Sequence, residues 1–256
     1  MLTKTLRFDE KVLEILKTMD WRDEGKLGIL TSGQLDRKMY TDVNKALDAM
    51  GGKWNRGLGG HVFKLDPREQ VEGLLGNGEL VIEKDGFFET PELVVKRMFE
   101  LAEPLNNSYV LEPSAGLGAI AEHLCHYYDE EYLYLIEKNV ERANKLKSVF
   151  TKSIVACGDF LDFANDQKFK RIYMNPPFEN LQDIDHVQHA YKFLSDDGIM
   201  VSVMAESAFF REDKKSVAFR EWLTGYGVIG YSEKLPEGAF KSSGTMVNAR
   251  LVVIKK

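Results

Sequence analysis

The chain has 256 residues, of which 44% are hydrophobic and 29% charged, the composition of an ordinary globular protein. No apolar run approaches the length of about 18 residues that suggests a membrane span, and the N-terminal stretch MLTKTLRFDEKVLEIL is too charged for a signal peptide. The net charge of −6 argues against nucleic-acid binding by overall positive charge, although a local basic face is compatible with it. We therefore expect a cytoplasmic protein with no membrane partner.

The cysteines and histidines predict no metal site. Cys125 and Cys157 lie in apolar segments without metal-ligand spacing, so we expect two buried thiols in a reducing compartment. The five histidines share no spacing that suits a metal or a catalytic dyad, and no role is predicted for them: His61, His123, His126, His186 and His189.

Residues 1–80 predict a small separate α+β domain. The stretches FDEKVLEILKTM and QLDRKMYTDVNKALDAM have the apolar spacing of helices, and GKWNRGLGGHVFKL predicts a β-hairpin that turns at residues 57–60. Helices followed by a basic hairpin are similar in outline to a winged helix. The next stretch, NGELVIEKDGFF, is expected to link this domain to the rest of the chain.

The predicted hairpin lies in a stretch without any acidic residue, residues 49–65, and a second such stretch covers residues 238–256. Basic and aromatic side chains together suit phosphate contact and base stacking, and Trp54 lies among the basic residues of the first stretch. The alternative is that Trp54 and Phe63 pack on the helices while the charges are only solvated. The basic residues of the hairpin are candidate substrate-binding residues: Lys53, Arg56 and Lys64.

The segment ETPELVVKRMFELA predicts a helix shortly before the main sheet begins. Thr90 would be its N-cap, Pro91 would occupy the first helical position, and Glu92 would lie in the first turn. This assignment follows the preference of hydroxyl side chains for the cap and of proline for the next position.

From about residue 108 onward, apolar runs alternate with helical patterns. The strand-like runs are YVLEP, YLYLIE, SIVAC, RIYMN and GIMVSVMAE, and the helical patterns between them are AIAEHLCHYY, NVERANKLKSVF and DIDHVQHAYKFL. Continuous apolar strands separated by helices indicate a parallel sheet covered on both faces. The last two runs, GYGVIGYSEKL and TMVNARLVVIKK, have no crossover helix between them and predict an antiparallel pair that closes the sheet.

A glycine-containing loop, EPSAGLGAIAEHL, leaves the first strand of this sheet and enters a helix. Gly116 and Gly118 permit a tight bend and let a ligand approach main-chain amides at the helix N-terminus. With Glu137 placed 19 positions after Gly118, the spacing would also suit a nicotinamide dinucleotide. The loop by itself leaves three interpretations open: NAD, S-adenosylmethionine (SAM), and tight packing of a strand on a helix.

Acidic residues at the strand ends favour SAM. The carboxylate of Glu112 would repel a pyrophosphate and attract the ammonium group of a methionine moiety. Asp159 and Phe160 in CGDF suit an adenine, because the acid can accept from its amino group and the ring can pack on the base. Glu137 can accept both ribose hydroxyls, and the carboxyl ends of parallel strands meet at one edge of a sheet. Taken singly, Asp159 could instead cap a short turn, and Glu137 could be a solvated strand end.

The fourth strand-like run ends in NPPF, residues 175–178. The two prolines fix φ at about −65° and hold Asn175 and Pro176 extended. As pure structure this corner is an unusual choice, since a glycine or asparagine turn reverses a chain at lower cost.

These motifs, in this order, resemble those of the SAM-dependent amino methyltransferases, above all the N6-adenine DNA methyltransferases. The resemblance covers roughly residues 86–256. FFETPELV resembles the segment beside the cofactor, EPSAGLG the cofactor loop, LIEK and GDF the acidic cofactor contacts, and NPPF the catalytic tetrapeptide. LPEGAFKSSGTMVNARLVVI resembles the closing hairpin of plasmid- and phage-borne members. The implied fold is α/β: a Rossmann-like class I methyltransferase with a seven-stranded sheet and an antiparallel closing hairpin.

The resemblance implies methyl transfer from SAM to the N6 amine of adenine in DNA. The Asn175 side-chain oxygen and the Pro176 carbonyl would accept from the two N–H groups of the amine, which returns its lone pair toward the methyl donor. The prolines would hold both acceptors in place. Phe178 would stack on the flipped base, and Phe240 would either close the other side of the pocket or pack in the hairpin core.

The residues that the resemblance assigns fall into three groups. The catalytic residues are Asn175, Pro176, Pro177 and Phe178. The cofactor-binding residues are Thr90, Pro91, Glu112, Pro113, Ala115, Gly116, Gly118, Glu137, Asp159, Phe160 and Asn175. The substrate-binding residues are Phe178, Phe240, Lys53, Arg56 and Lys64, and no metal is implied.

This sequence departs from the family pattern in two ways. The fourth position of the tetrapeptide is Phe178 where tyrosine is common, which keeps the stacking ring and loses a hydroxyl. A separate target-recognition domain is also not expected, because residues 205–227 are fewer than the about 50 that a domain needs. Sequence specificity is therefore expected to be weak or to come from the N-terminal domain.

Other functions are compatible with part of the pattern. Asn-Pro-Pro-aromatic also resembles the motif of RNA adenine and protein glutamine methyltransferases, between which the basic hairpin favours nucleic acid. A non-catalytic DNA-binding or anti-restriction protein with the same fold would not need the geometry of NPPF. An oxidoreductase would have no use for it.

Overall fold

The computed structural model describes residues 2–84, 87–105, 107–225 and 229–256. The chain divides into two compact units, Met1–Asp85 and Gly86–Lys256. Each unit contains its own cluster or clusters of buried hydrophobic side chains. Among the described residues, no helix is both long and apolar enough to span a membrane.

Within residues 2–84, the N-terminal unit combines three helices with two small antiparallel sheets. Asp9 and Asp36 begin the first two helices, since their carboxylates accept from backbone amides of the first turn. The strand order of the larger sheet is β2-β3-β5-β4, and β1 pairs with β6. The elements are β1 (Leu2–Arg7), α1 (Glu10–Lys17), β2 (Asp20–Arg22), β3 (Leu27–Ile29), α2 (Arg37–Ala49), β4 (Lys53–Asn55), β5 (Gly60–Val62), α3 (Arg68–Asn77) and β6 (Glu79–Lys84).

The helices and the hairpin predicted for this unit are confirmed. The predicted helices are α1 and α2, and the predicted hairpin is β4 and β5, with Trp54 opposite His61. The stretch NGELVIEKDGFF contains the boundary between the two units, as expected of a link, and its strand β6 also pairs along its whole length with β1. Residues 85 and 86 of that stretch lie outside the described residues.

The second unit is built on a seven-stranded sheet with the order β12-β13-β11-β10-β7-β8-β9. Its elements are α4 (Glu92–Ala102), β7 (Val110–Glu112), α5 (Ala119–Leu124), β8 (Leu133–Glu137), α6 (Val140–Val149), β9 (Ile154–Cys157), β10 (Phe169–Met174), α7 (Gln182–Tyr191), β11 (Leu194–Ala205), α8 (Ser207–Phe210), α9 (Lys214–Leu223), β12 (Ile229–Lys234) and β13 (Ala249–Lys255). The strands from β7 to β11 pair in parallel, while β13 is antiparallel to both β11 and β12.

This arrangement confirms the predicted α/β fold with an antiparallel closing pair. Residues 226–228, the three residues directly before β12, lie outside the described residues. Successive strand residues point to opposite faces: Val110 joins the buried cluster that contains α4 and α5, and Leu111 joins the cluster that contains α7 and α9. Helices therefore cover both faces of the sheet.

The strand order places two loops side by side. After β7 the chain continues to β8 and β9 on one side, and later to β10 and β11 on the other side of β7. Because β7 and β10 are adjacent and parallel, their carboxyl ends lie next to each other at the position where the strand order reverses. In open α/β sheets this is where ligands bind. EPSAGLG follows β7 there, and NPPF follows β10.

The prediction that both thiols are buried is wrong, since Cys125 and Cys157 are exposed. Cys125 is the C-terminal cap of α5, which ends at Leu124 and is shorter than the apolar pattern suggested. Cys157 is the last residue of β9, an edge strand with only one neighbour in the sheet. An apolar sequence context is a weak guide to burial at the ends and edges of elements.

Candidate functional site

Asn175, directly after β10, has a side chain with a fixed orientation. Its Nδ2 donates to the carbonyl oxygen of Phe88 and to Oγ1 of Thr90, at 3.0 Å in each case. Both hydrogens of the amide group are thus used within the protein. The amide oxygen, Oδ1, is turned away from these partners and can accept from a bound group.

Thr90 has a different role from the predicted one. The helix α4 begins at Glu92, and Pro91, with extended backbone angles, occupies the cap position without a capping hydrogen bond from a side chain. Thr90 is buried, and its hydroxyl accepts from Asn175. The segment before α4 therefore orients the NPPF corner.

The chain after NPPF is held in an uncommon conformation. Asn180 and Leu181 have positive φ angles of 54° and 57°, a region that costs a non-glycine residue on the order of 1–3 kcal/mol. The following helix is anchored by Asp183, whose fully buried carboxylate accepts from the amide of Ala205 at the end of β11 at 3.0 Å. Burial raises the pKa of the Asp183 carboxyl to about 6. Strain of this kind is concentrated at functional sites.

The two aromatic rings predicted to enclose a base differ in exposure. Phe178 is half-buried, and its ring meets that of Phe240 edge-on, with 6.5 Å between centroids. Phe240 is fully buried in the core between the sheet and its helices. The structure therefore favours the core-packing interpretation of Phe240 and leaves only Phe178 accessible to a substrate.

The EPSAGLG loop requires glycine at two positions. Gly116 has a φ of 57° and Gly118 a φ of 94°, both in the region that favours glycine. A Cβ atom at position 116 would lie 2.3 Å from the Cε2 atom of Phe87. Pro113 and Ala115 of the same loop are buried, and the Ala115 amide donates to the Ile136 carbonyl, which fixes the loop to β8.

Glu112 is a buried acid at the start of this loop. Its Oε2 has no hydrogen-bond partner among the described residues, and only 1% of the residue is exposed. Burial, with a smaller contribution from the charge of Glu137, raises the pKa of the Glu112 carboxyl well above its usual range. A buried carboxyl oxygen without a partner fits a site that receives an ammonium group from a ligand.

Glu137, at the end of β8, is buried and not the solvated strand end considered above. Its Oε1 accepts from the Asn139 amide at 2.8 Å and from Nη2 of Arg142 at 2.9 Å. Its Oε2 accepts from the Gly116 amide at 2.8 Å. Nε of Arg142 also donates to Oε1, at 3.1 Å, so four donors of the protein already face the about four lone-pair sites of this carboxylate. The carboxylate thus joins the end of β8 to the glycine loop and to α6.

The residues after β9 only partly match their prediction. Asp159 caps a short 3-10 turn through the Leu161 amide and pairs with Lys138 Nζ at 2.6 Å. Burial alone would raise the pKa of the Asp159 carboxyl, but the hydrogen bonds from Lys138 and Leu161 outweigh it and leave the pKa below its usual value. Phe160 is buried against His189 and other rings, so it packs in the core and has no face open to an adenine.

The sequence prediction missed His186, which lies beside the glycine loop. Its Nδ1 is 3.5 Å from Oγ of Ser114, and its ring centroid is 5.6 Å from that of Phe160. Burial lowers the pKa of the His186 imidazole to about 4, so the ring is neutral at pH 7. The available signal was its position on the apolar side of α7, which by itself indicates packing.

In the N-terminal unit, the hairpin exposes most of the residues predicted to contact a substrate. Lys53, Arg56 and Lys64 are exposed, and 48% of Trp54 is accessible, with its ring 5.2 Å from that of His61. Phe63 is buried, as expected if it packs in the core of this unit, whereas the exposure of Trp54 does not fit such packing. Among the described residues of the whole chain, no group of His, Cys, Asp and Glu could hold a metal ion.

No protein-family model and no curated protein matches the sequence. Solved structures do share its fold. The M protein of the type I restriction enzyme EcoKI is similar with a TM-score of 0.56 and 17% identity, covering 97% of this chain and 58% of its own. A modification subunit of a putative type I restriction enzyme from Vibrio vulnificus YJ016 gives a TM-score of 0.54 and 18% identity, covering 72% of this chain and 46% of its own.

A third similar structure is a dimethyladenosine transferase from Plasmodium falciparum, with a TM-score of 0.53 and 13% identity over 66% of this chain and 63% of its own. The chain spans about half the length of the type I modification proteins it matches. At these identities the similarities establish a methyltransferase fold, and the activity has to be argued from the site.

Proposed function

We propose that this chain is a SAM-dependent methyltransferase that acts on the N6 amine of adenine in DNA. The observation that carries the proposal is the orientation of Asn175. Because the Phe88 carbonyl and the Thr90 hydroxyl take both of its amide hydrogens, Oδ1 is left as an acceptor, next in sequence to the Pro176 carbonyl.

Two acceptors at this corner suit an exocyclic aromatic amine. The lone pair of such an amine is delocalised into the ring, and acceptance from both N–H groups favours a pyramidal nitrogen whose lone pair is free to attack. SAM, when bound, would supply a methyl group from its sulfonium and would end as a neutral thioether. Asn175 and Pro176 would hold the amine so that its nitrogen bonds to the methyl carbon as the sulfur–carbon bond breaks, and the surplus proton would pass to water. Fixed acceptors contribute here by preorganisation.

The residues of the neighbouring loops fit the groups of SAM. Glu112 would accept the ammonium group of the methionine part, which supplies its missing partner. Glu137 would accept from the ribose hydroxyls in exchange for a donor of its own chain, since four protein donors already face its carboxylate. Asp159 would accept from the amino group of the adenine. Gly116 and Gly118 would give the loop the shape that holds the cofactor, with the rings of Phe87 and Phe150 packed against them. Phe178 is the ring left to stack on the target base.

The site residues constrain the substrate that receives the methyl group less closely than they constrain the type of reaction. Exposed Trp54 and the basic residues of the N-terminal hairpin support a nucleic acid. RNA adenine is a second candidate acceptor, supported by the adenosine-directed name of one similar structure. A protein amide could bind to the same two acceptors of NPPF, but this substrate would not explain the exposed basic residues of the hairpin.

The test is to incubate the full chain with SAM carrying a labelled methyl group and, separately, duplex DNA, structured RNA and cell-extract protein. We expect label in DNA, recovered as N6-methyladenine. Asn175→Ala should lower the rate by about 100-fold or more, while Asn144→Ala, an exposed substitution on α6, should leave it unchanged. If label appeared only in RNA or protein, that substrate would take the place of DNA in the proposal. If SAM bound and no methyl group were transferred, the proposal that the chain is an enzyme would be refuted.

A companion pair of variants tests how Asn175 is oriented. Thr90→Val keeps the shape of the side chain and removes the hydroxyl acceptor, whereas Thr90→Ser retains it. Loss of one such hydrogen bond is worth about 1 kcal/mol, so kcat should fall about fivefold in Thr90→Val and recover in Thr90→Ser. Equal rates in the two variants would contradict the orientation argument.

A further inference from the structure

Two exposed segments leave the sheet at the edge that carries NPPF. Ala205 at the end of β11 pairs with Ala249 at the start of β13, and the Glu206 amide donates to the Asn248 carbonyl at 3.0 Å. The segment after β11 and the segment before β13 are therefore neighbours. We call the residues before β13, residues 241–248, the rim loop.

The rim loop is fixed to both parts of the catalytic corner. Oγ of Ser243 donates to the Glu89 carbonyl at 2.6 Å, and Glu89 lies between the two residues that orient Asn175. Phe240, just before the loop, meets the ring of Phe178. Any group held by NPPF thus has the rim loop beside it.

The rim loop and its neighbour expose large apolar side chains. Met246 is 66% exposed in the loop, and Phe210 at the end of α8 is 67% exposed. The base of α8 is rigid: Phe209 lies 4.0 Å beneath the Arg250 guanidinium, which pairs with Glu206 through two hydrogen bonds. Phe210 is therefore presented to solvent from a fixed position and has no packing role visible among the described residues.

The charge of this edge indicates the kind of partner. The rim loop itself, residues 241–248, has no acidic residue and exposes Lys241, while Glu212 and Asp213 follow Phe210 after Arg211. Apolar side chains beside a lysine suit a nucleic acid, in which bases offer stacking surfaces and phosphates offer negative charge. Extruding a base from a duplex also leaves a gap in the stack that an apolar side chain can fill.

Resting on the proposed function, we propose that the rim loop and Phe210 hold the strand that flanks the target adenine. Met246 and Phe210 contact the bases next to the extruded one, and Lys241 contacts a phosphate. The exposed hairpin of the N-terminal unit is then not the only nucleic-acid contact. The catalytic unit itself recognises the distorted duplex.

Three variants of the full chain test this: Met246→Gln, Phe210→Gln and Lys241→Gln. Val149→Gln is the matched control, since Val149 is an exposed apolar residue at the far end of α6. Methyl transfer would be measured on a random-sequence duplex and on its separated strands, and the Kd for SAM by calorimetry. All substituted side chains are exposed, so folding should be preserved.

We expect Met246→Gln and Phe210→Gln to lower kcat/KM on the duplex about tenfold and to lower it less on single strands, where no base has to be extruded. Lys241→Gln should reduce the slope of log affinity against log salt concentration by about one. The Kd for SAM should match that of Val149→Gln throughout.

Suppose that the unaltered protein methylates a nucleic acid. If the three variants then had the same kcat/KM as Val149→Gln, or if kcat/KM fell equally on duplex and single strands, this inference would be overturned and the proposed function would stand. Absence of transfer to any nucleic acid by the unaltered protein would instead overturn the proposed function and the inference with it.

Discussion

At the scale of single residues, the NPPF motif predicts that the Asn175 side-chain oxygen meets a substrate, but it does not predict what holds that side chain. The residues that hold it, Phe88 and Thr90, lie 87 and 85 residues earlier in the chain. No local pattern connects positions so far apart. Phe160 shows the converse, because a ring after a strand end can turn either to the ligand or to the core, and only packing decides which.

Glu112 provides a prediction at this scale. Its folded-state pKa is raised above the value of about 4.3 in an unfolded chain. The folded protein therefore binds more protons between the two values, and the free energy of unfolding should fall as pH rises through that window. Glu112→Gln removes this loss and should stabilise the protein at pH 7 by about 1 kcal/mol. Its Kd for SAM should rise at the same time.

Urea unfolding from pH 4 to pH 8, with calorimetry of SAM binding, would measure both effects. Glu122→Gln, an exposed position on α5, serves as control and should change neither quantity. If Glu112→Gln unfolded more easily at pH 7 and bound SAM normally, the carboxylate would be a structural group and not a cofactor ligand.

At the scale of elements, predictability follows length and burial. The strands β7, β8, β10 and β11 are continuous apolar runs covered on both faces, which makes them visible in the sequence. The strands β2 and β3 have three residues each, too few for an alternating pattern to appear. The helix α8 has four residues and likewise shows no recognisable pattern in the sequence. Length is not the only reason, because the helices α3 and α9 have ten residues each and were not predicted either.

The glycine loop yields a prediction for an element. Gly116→Ala would require a φ of 57° from alanine and would place a Cβ atom 2.3 Å from the Phe87 ring. The loop has to shift, so we expect SAM binding to weaken at least about tenfold and unfolding to require about 1–2 kcal/mol less. Gly76→Ala in α3, with open space around it, should leave SAM binding unchanged and stabilise its helix slightly. Normal SAM affinity in Gly116→Ala would remove the loop from the cofactor site.

At the scale of the whole molecule, composition predicts less than local clustering does. The net charge of the chain is −6, yet one hairpin exposes Trp54, Leu58 and Arg56 near its tip, which the net charge does not indicate. The domain predicted over residues 86–256 has the same bounds as the second compact unit, whereas the pairing of β6 with β1 inside the first unit was not predicted. Pairing between segments 70 or more residues apart leaves no local trace.

The hairpin predicts that the two units contribute separately to activity. Removing an exposed ring that stacks on a base costs about 1–3 kcal/mol, so Trp54→Ala should weaken nucleic-acid binding by about fivefold to 100-fold. The Kd for SAM and the thermal unfolding of the chain should not change, because Trp54 is half exposed and its unit has its own core. Tyr40→Ala, an exposed aromatic on α2, is the control within the same unit. Fluorescence anisotropy with a labelled duplex measures the first quantity. A loss of SAM affinity equal to the loss of duplex affinity would contradict the separation, whereas a loss confined to the duplex would identify the hairpin as a nucleic-acid contact independent of the NPPF corner.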